Sequence, residues 1–339
     1  MRFLQVHLSL PRGGAHVAIE NLRCGLERIG HRCTVESDGA ESAISRGNHD
    51  LVIFHSFSEE NRGRYLQCLR TAEALSIPHA IVMHDYWAIC HQTNLIRPSM
   101  GWKRCRVTSD DPCRPGIRCK HPVSHELLRD EVVRRAVVSF TDRGASIFKD
   151  AGFTDVSMIP HGIDVSSFSF QPKSSRADGI RVCFTNAWGK REIKGYPHWD
   201  WLRRNSTDPS VEFVETLGST DHDMMPRFLS SCDAMLFLSL WEETFGLVVL
   251  ESMACGTPVI SYPTGVSPDL ISTGRNGVLL DASNPRKASE AIESIASMKK
   301  PELEAMRSAA RESVEGYYTL DRMADDYANL ARKIGGVTR

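Results

Sequence analysis

The sequence predicts an α/β protein of two domains, each a parallel sheet covered by helices. Three observations carry that expectation. The chain has 339 residues, more than one hydrophobic core usually serves. Apolar runs of strand length recur between segments with helical periodicity. A polar, turn-prone stretch then interrupts the chain near its middle.

The strand-length runs are Phe3 to Leu10, Leu51 to Phe54, Ala80 to Met83 and Val137 to Phe140, followed by Val182 to Phe184, Val211 to Val214, Ala234 to Leu238 and Pro258 to Ser261. After the first, Gly13 to Ile29 sets Val17, Ala18, Leu22, Leu26 and Ile29 on one helical face, and Gly30 supplies a C-terminal stop. Ser166 to Asp178 is polar and turn-prone, rich in Ser, and a new strand starts at Ile180. The expected division is an N-terminal domain over 1–165, a linker over 166–179, a second domain over 180–316 and a final segment over 317–339. In that last segment a helix over Leu320 to Ile334 carries Met323, Tyr327, Leu330 and Ile334, a stripe that must pack on something beyond its own turn.

Charge narrows the partners. With 41 basic and 42 acidic side chains, nothing favours nucleic acid as the main ligand. The opening apolar run is too short for a signal peptide and lacks a cleavage site, and no stretch has the length of a membrane span. The expectation is a soluble, cytoplasmic protein. Ten cysteines scattered over both halves read as reduced thiols. Four of them, Cys90, Cys105, Cys113 and Cys119, fall in an insertion over about 90–121, which also holds Lys103, Arg104, Arg106, Arg114, Arg118 and Lys120. Four thiolates can close a zinc site, free thiols are the alternative, and the basic residues could meet an anionic acceptor, the inner face of a membrane, or water alone.

The most informative stretch runs from Trp241 to Ile260. It reads as the end of a strand, a loop, a helix from about Gly246 to Cys255, and a strand after Pro258. Glu251 lies inside that helix among Leu247, Val248, Val249, Leu250, Met253 and Ala254, where burying a carboxylate is costly unless donors meet it. A ribose diol offers two hydroxyl donors at the carboxyl end of a parallel sheet. Glu243, in the preceding loop, could meet a second set of hydroxyls, and the amides around Phe245 and Gly246 with the helix dipole favour an anion between the two acids. The alternative is that Glu243 is a solvated acid and Glu251 pairs with a basic neighbour.

Glu243 and Glu251, with the intervening Thr-Phe-Gly-Leu-Val-Val-Leu and the following Ser-Met-Ala-Cys-Gly-Thr-Pro, resemble the signature of the retaining glycosyltransferases of family 4. That resemblance implies the GT-B architecture: two Rossmann-like domains facing each other across a cleft, with the C-terminal helix crossing back to the N-terminal domain. It also implies a nucleotide-sugar donor, with no cofactor and no catalytic metal. Glu243 would hold the donor sugar and Glu251 the ribose. Gly13 and Gly14 are similar to the family's phosphate-facing loop. Lys194 before Gly195 fits the family lysine on the diphosphate, whereas Trp188 stands where the family has arginine, leaving Lys190 or Arg191 as a second cation. A cation is needed there because a leaving nucleoside diphosphate gains charge as the bond breaks.

His84 and Asp85 follow a strand, and His84 resembles the family's histidine at the sugar and acceptor side of the site. Thr264-Gly-Val-Ser resembles a loop whose amides, at Gly265 and Val266, meet the donor. His161 stands where the family usually has Asn, and Gly162 and Asp164 read as turn formers. Asp221-His-Asp reads as a solvated turn near the nucleobase. With the leaving phosphate able to take the acceptor proton, retention would need no protein nucleophile, and the task becomes positioning and charge stabilisation. Two other functions stay open: a nucleotide-sugar epimerase, and a nucleotide-sugar-binding protein without turnover. The donor's base and sugar and the acceptor are not encoded in these motifs.

Overall fold

The computed structural model describes residues 1–8, 13–57, 59–90, 95–97, 103–104, 133, 136–170, 179–185, 191–216 and 221–336. The chain divides into two compact units, one formed by Met1–Gly162 with Leu320–Arg339 and the other by Ile163–Thr319. The first boundary therefore falls before Ser166, and the return to the first unit begins at Leu320 rather than Tyr317.

In the first unit, six parallel strands stand in the order β2-β1-β3-β4-β7-β8. They are β1 (Arg2–Leu8), β2 (Arg32–Glu36), β3 (Leu51–Phe57), β4 (His79–Val82), β7 (Val137–Ser139) and β8 (Val156–Met158). A separate two-residue ladder pairs β5 (Ile96–Arg97) with β6 (Lys103–Arg104), antiparallel. Phe3, Leu4, Val6 and Leu8 are all buried, as expected of a strand covered on both faces. Gln5 is buried among them, a polar exception that has to be satisfied. The first helix runs over Gly14–Arg28 and buries Ala18, Ile19, Leu22 and Leu26.

The final helix, Leu320–Ile334, keeps the bounds its periodicity predicts and buries Met323, Tyr327 and Leu330. It packs on the first helix so closely that a Cβ added to Gly25 would come 2.7 Å from the Leu320 carbonyl oxygen. Asn21 Nδ2 also donates to the Gly162 carbonyl at 3.1 Å, and Arg322 to that of His161 at 3.1 Å. The stripe thus finds its partner in the opening helix.

The second unit has five parallel strands in the order β10-β9-β11-β12-β13. These are β9 (Ile180–Phe184), β10 (Val211–Glu215), β11 (Ala234–Phe237), β12 (Val259–Ser261) and β13 (Gly277–Leu279). In each unit the chain goes from its first strand to one side and then crosses to the other. Strand order accordingly reverses between β1 and β3, and again between β9 and β11. Ligands of open α/β sheets bind outside the carboxyl ends of strands at such reversals. Among the described residues no helix is long and apolar enough to cross a membrane.

Candidate active site

At the reversal of the second unit, the loop after β9 is held against the exit of β11. Gly195 makes this approach possible: its φ is +91°, and a Cβ there would fall on the Leu238 carbonyl oxygen. Leu240 N–H donates to the Ile193 carbonyl at 2.8 Å. Lys194 is thereby set beside Ser239 and Glu243. Its Nζ donates to Glu243 Oε1 at 2.6 Å and lies 4.8 Å from the centre of the Trp241 ring.

Ser239 Oγ donates to the same Glu243 oxygen at 2.6 Å. The Glu243 backbone is fixed too, its N–H donating to Thr264 Oγ1 at 2.9 Å while the Thr264 hydroxyl donates to the Trp241 carbonyl at 2.9 Å. Glu243 is only 4% exposed, so it is a buried, paired carboxylate and not a solvated loop acid. No donor among the described residues is paired with its Oε2.

The loop after β12 closes on the same stretch. Gly265 has φ +59°, and a Cβ there would fall on the Phe245 carbonyl oxygen and lie 3.0 Å from Glu243 Cβ. Val266, expected to offer its amide to a ligand, donates it at 2.7 Å to Phe245 O instead. That amide is committed to the fold. Phe245 itself is a buried ring packed on Tyr318 at 6.3 Å, so its contribution is structural apart from its backbone. Gly246, with φ +95°, caps the helix Leu247–Ala254 without a side-chain hydrogen bond.

Glu251 lies buried in that helix, as its apolar neighbours predict. The basic partner is His222, whose Nε2 is 2.8 Å from Glu251 Oε1. Asp221-His-Asp is exposed, as a solvated turn should be, and opens a short 3-10 helix, His222–Met224; the reading left out that His222 pairs with an acid 29 residues away. The hydrogen bond to Glu251 raises the His222 pKa above its ordinary value, against the opposing effect of burial.

Arg191 does not join this cluster. Its guanidinium covers the Tyr196 ring at 3.7 Å and reaches Glu215 at 3.7 Å, which is packing at the start of the helix Tyr196–Asn205 and the edge strand β10. Trp188 and Lys190 lie outside the described residues.

In the first unit, Gly13 and Gly14 are exposed at the start of the helix Gly14–Arg28, with Gly13 in extended backbone. His84 lies just past β4 and is half-buried. Its Nε2 is 2.8 Å from His55 Nδ1, and its ring lies against Phe140 at 5.4 Å and His161 at 5.9 Å. Burial pushes the His84 pKa down to about 4. Asp85 accepts the Trp87 N–H at 2.8 Å, so that carboxylate oxygen closes a turn and does not face an acceptor. His161 is buried against Phe140 at 3.8 Å, while Asp164 forms the expected turn with Ser166. Cys90 is buried; Cys105, Cys113 and Cys119, and with them the candidate metal site, lie outside the described residues.

Sequence reasoning passed over Ser239, His55 and Gln5, and gave no role to the side chains of Thr264 and His222 within the motifs that contain them. His55 carried a usable signal, a histidine directly after an apolar strand run, the same signal that singles out His84. Ser239 and Thr264 follow β11 and β12 in the same way.

Comparison with known proteins bears on the family and the fold. Residues 211–313 match the family Glycosyl transferases group 1. An uncharacterized glycosyltransferase of Methanocaldococcus jannaschii is 32% identical over 224 residues, covering 64% of this chain and 58% of that protein. A GDP-mannose-dependent mannosyltransferase of Corynebacterium glutamicum that acts on a monoacylated phosphatidylinositol monomannoside is 31% identical over 225 residues, 62% of this chain and 56% of its own. The chain thus spans a little over half the length of these relatives. Among solved structures, Anabaena HepE in complex with UDP and glucose superposes with a TM-score of 0.66 at 15% identity, over 98% of this chain and 100% of that one. The chain carries a glycosyl transferases group 1 segment, and its two parallel-sheet α/β units have the fold of the GT-B glycosyltransferases.

Proposed function

We propose that the protein is a retaining, metal-independent glycosyltransferase that moves a sugar from a nucleotide-sugar donor to an acceptor. One observation carries this reading: at the β9/β11 reversal a buried carboxylate, Glu243, has one oxygen held by Lys194 and Ser239 and no described partner on the other. A carboxylate so oriented is an acceptor for sugar hydroxyls, and the ammonium beside it is a counter-charge for phosphate.

Glu243 Oε2 takes hydroxyls of the donor sugar in this reading. Lys194 keeps one proton on Glu243 and offers the others to the diphosphate, whose charge rises as the glycosidic bond breaks. The amides at the start of Leu247–Ala254, together with that of Gly265, supply further donors to the phosphates. Glu251 receives the ribose, which has to share it with His222 or displace it. The leaving phosphate oxygen accepts the acceptor proton, so no side chain has to act as nucleophile. The basic stretch Lys103 to Lys120 is the segment we assign to an anionic acceptor or membrane surface.

The test incubates the full chain with UDP-, GDP- and ADP-sugars, with and without EDTA, and follows products by NMR. Transfer or slow donor hydrolysis that survives EDTA, giving a product of unchanged anomeric configuration, supports the proposal. Interconversion of donors, an inverted product, or binding without turnover refutes it. Glu251→Ala should weaken nucleotide binding by about 1 to 3 kcal/mol, the scale of a lost charged hydrogen-bond pair. Glu243→Gln should abolish transfer with nucleotide binding nearly unchanged.

A further inference from the structure

We infer that Gln5 and His55 are positioning residues that hold His84 as its Nε2–H tautomer, leaving Nδ1 as a fixed proton acceptor. The inference rests on the transferase reading only where it gives that nitrogen a sugar hydroxyl to face.

The argument starts at a carbonyl, which can only accept. Gln5 Nε2 is 3.1 Å from the Ile19 carbonyl oxygen and 3.3 Å from Cys33 Sγ. The amide nitrogen must therefore face Ile19, since the flipped amide would set two oxygens against each other. Gln5 Oε1 then faces His55 Nε2 at 2.8 Å, so His55 Nε2 must carry a proton. A neutral imidazole has only one N–H. His55 Nδ1 is consequently an acceptor, and the 2.8 Å contact with His84 Nε2 requires His84 to be the donor.

The one alternative is a doubly protonated His55. His55 is buried in full, and His84, His7 and His161 each add to the penalty on its charge, which holds its pKa well below the usual range. A neutral His55 follows; burial keeps His84 neutral as well, and its single proton is on Nε2. The chain of bonds runs in one direction, from His84 through His55 and Gln5 to the Ile19 carbonyl, and each member has its role fixed by the next. Gln5 is a buried polar residue in the strand β1, and His55 is a buried imidazole in β3; packing alone would favour apolar residues at both places. Specifying a tautomer at the carboxyl end of β4 accounts for both.

The consequence for chemistry concerns one atom. A histidine free to exchange tautomers presents donor and acceptor in turn, whereas this relay makes His84 Nδ1 an acceptor throughout. It can hold a sugar or acceptor hydroxyl by its proton. It cannot donate to a leaving oxygen unless the ring charges.

Ring-nitrogen NMR of the full chain tests the tautomer directly, with no need for turnover. The expected spectrum gives His84 one protonated nitrogen at Nε2 and one bare nitrogen at Nδ1. His55→Leu removes the acceptor and should shift His84 to a mixture of tautomers. It should also lower kcat about 10- to 100-fold, on the scale by which losing the outer hydrogen-bond partner of a metal-bound histidine lowers activity, with the affinity for nucleotide unchanged. His55→Asn, whose side-chain oxygen can take the place of Nδ1, should restore the tautomer and most of kcat. A wild-type His84 protonated on Nδ1, or equal tautomer populations and rates in His55→Leu and His55→Asn, would overturn the inference. A wild-type chain with the expected tautomer that transfers sugar from no donor would refute the transferase reading and leave the relay supported.

Discussion

Replacing Lys194 and Glu243 singly and together gives the sharpest test of the site in the second unit. At 2.6 Å and an effective dielectric of about 20, their gross attraction is about 6 kcal/mol. Most of that is taken back by desolvating Glu243, which is 4% exposed, while Lys194 keeps a quarter of its side-chain surface in water. Lys194→Met leaves a buried carboxylate with Ser239 as its remaining donor and should cost about 2 to 4 kcal/mol, near the lower end for a broken buried pair because the lysine is partly solvated. Glu243→Gln keeps the shape and an acceptor for both Lys194 and Ser239, and should cost about 1 kcal/mol. The double variant has no charge left to strand. It should therefore be more stable than the sum of the singles by about 1 to 3 kcal/mol, the coupling expected of a contacting pair. Native-state hydrogen exchange in the helix Leu247–Ala254 reports opening of this unit separately from the other. Additive losses, equal to the sum within about 0.5 kcal/mol, would refute the pairing.

The neighbouring elements make further predictions. Gly265→Ala should lower the melting temperature and nucleotide affinity together, because a left-handed φ costs about 1 to 2 kcal/mol for an L-residue and the new Cβ would fall on the Phe245 carbonyl; unchanged affinity would separate this loop from the site. Gly25→Ala should destabilise the first unit by about 1 to 3 kcal/mol, because its Cβ would meet the Leu320 carbonyl; a circular-dichroism melt would show it. The raised His222 pKa means that the His222–Glu251 pair is fully formed below about pH 6.5 and is lost as pH rises through the higher folded value. Stability of the second unit should fall over that interval in the wild type and stay flatter in His222→Ala, while nucleotide affinity should rise as the histidine releases Glu251.

Much of this fold could be read from residues. The final helix is legible because Met323, Tyr327 and Leu330 repeat at helical spacing and have no use exposed. The buried carboxylate at Glu251 is legible because nearly all its neighbours in the helix are apolar. In the two parallel sheets three strands escaped for a physical reason: β2 is a half-exposed edge strand of sequence Arg-Cys-Thr-Val-Glu, and β8 and β13 are short and only partly buried, unlike the equally short but fully buried β7 and β12. The resemblance offers Arg191, with Lys190, as a cation for the diphosphate, yet a guanidinium stacks readily on an aromatic ring, and Tyr196 stands five residues on. Long-range partners such as His222 with Glu251, or Gln5 with His55, leave no local pattern at all. Nothing in a strand of Leu, Gln and Val marks the Gln as hydrogen-bonded to a residue 50 positions later.

The two reversals of strand order differ in charge, and that difference makes a prediction. The second unit gathers an ammonium, two carboxylates and a raised histidine. The first gathers His55, His84 and His161, each with its pKa lowered by burial first of all. Unfolded, all three would titrate near 6.5. Between that value and the folded pKa, which for His84 is about 4, the unfolded chain binds more protons than the folded one. Stability is therefore present above pH 6.5 and lost as the pH falls, by about 1.4 kcal/mol per pH unit for each fully neutral ring and about 4 kcal/mol per unit for the three. Hydrogen exchange in β1 and β3, measured from pH 7 to 5, should show this slope, and His161→Asn should lower it by about a third. A flat profile would mean that the rings charge in place. That would also remove the reason for the relay, since a charged His84 donates from both nitrogens and has no tautomer to fix.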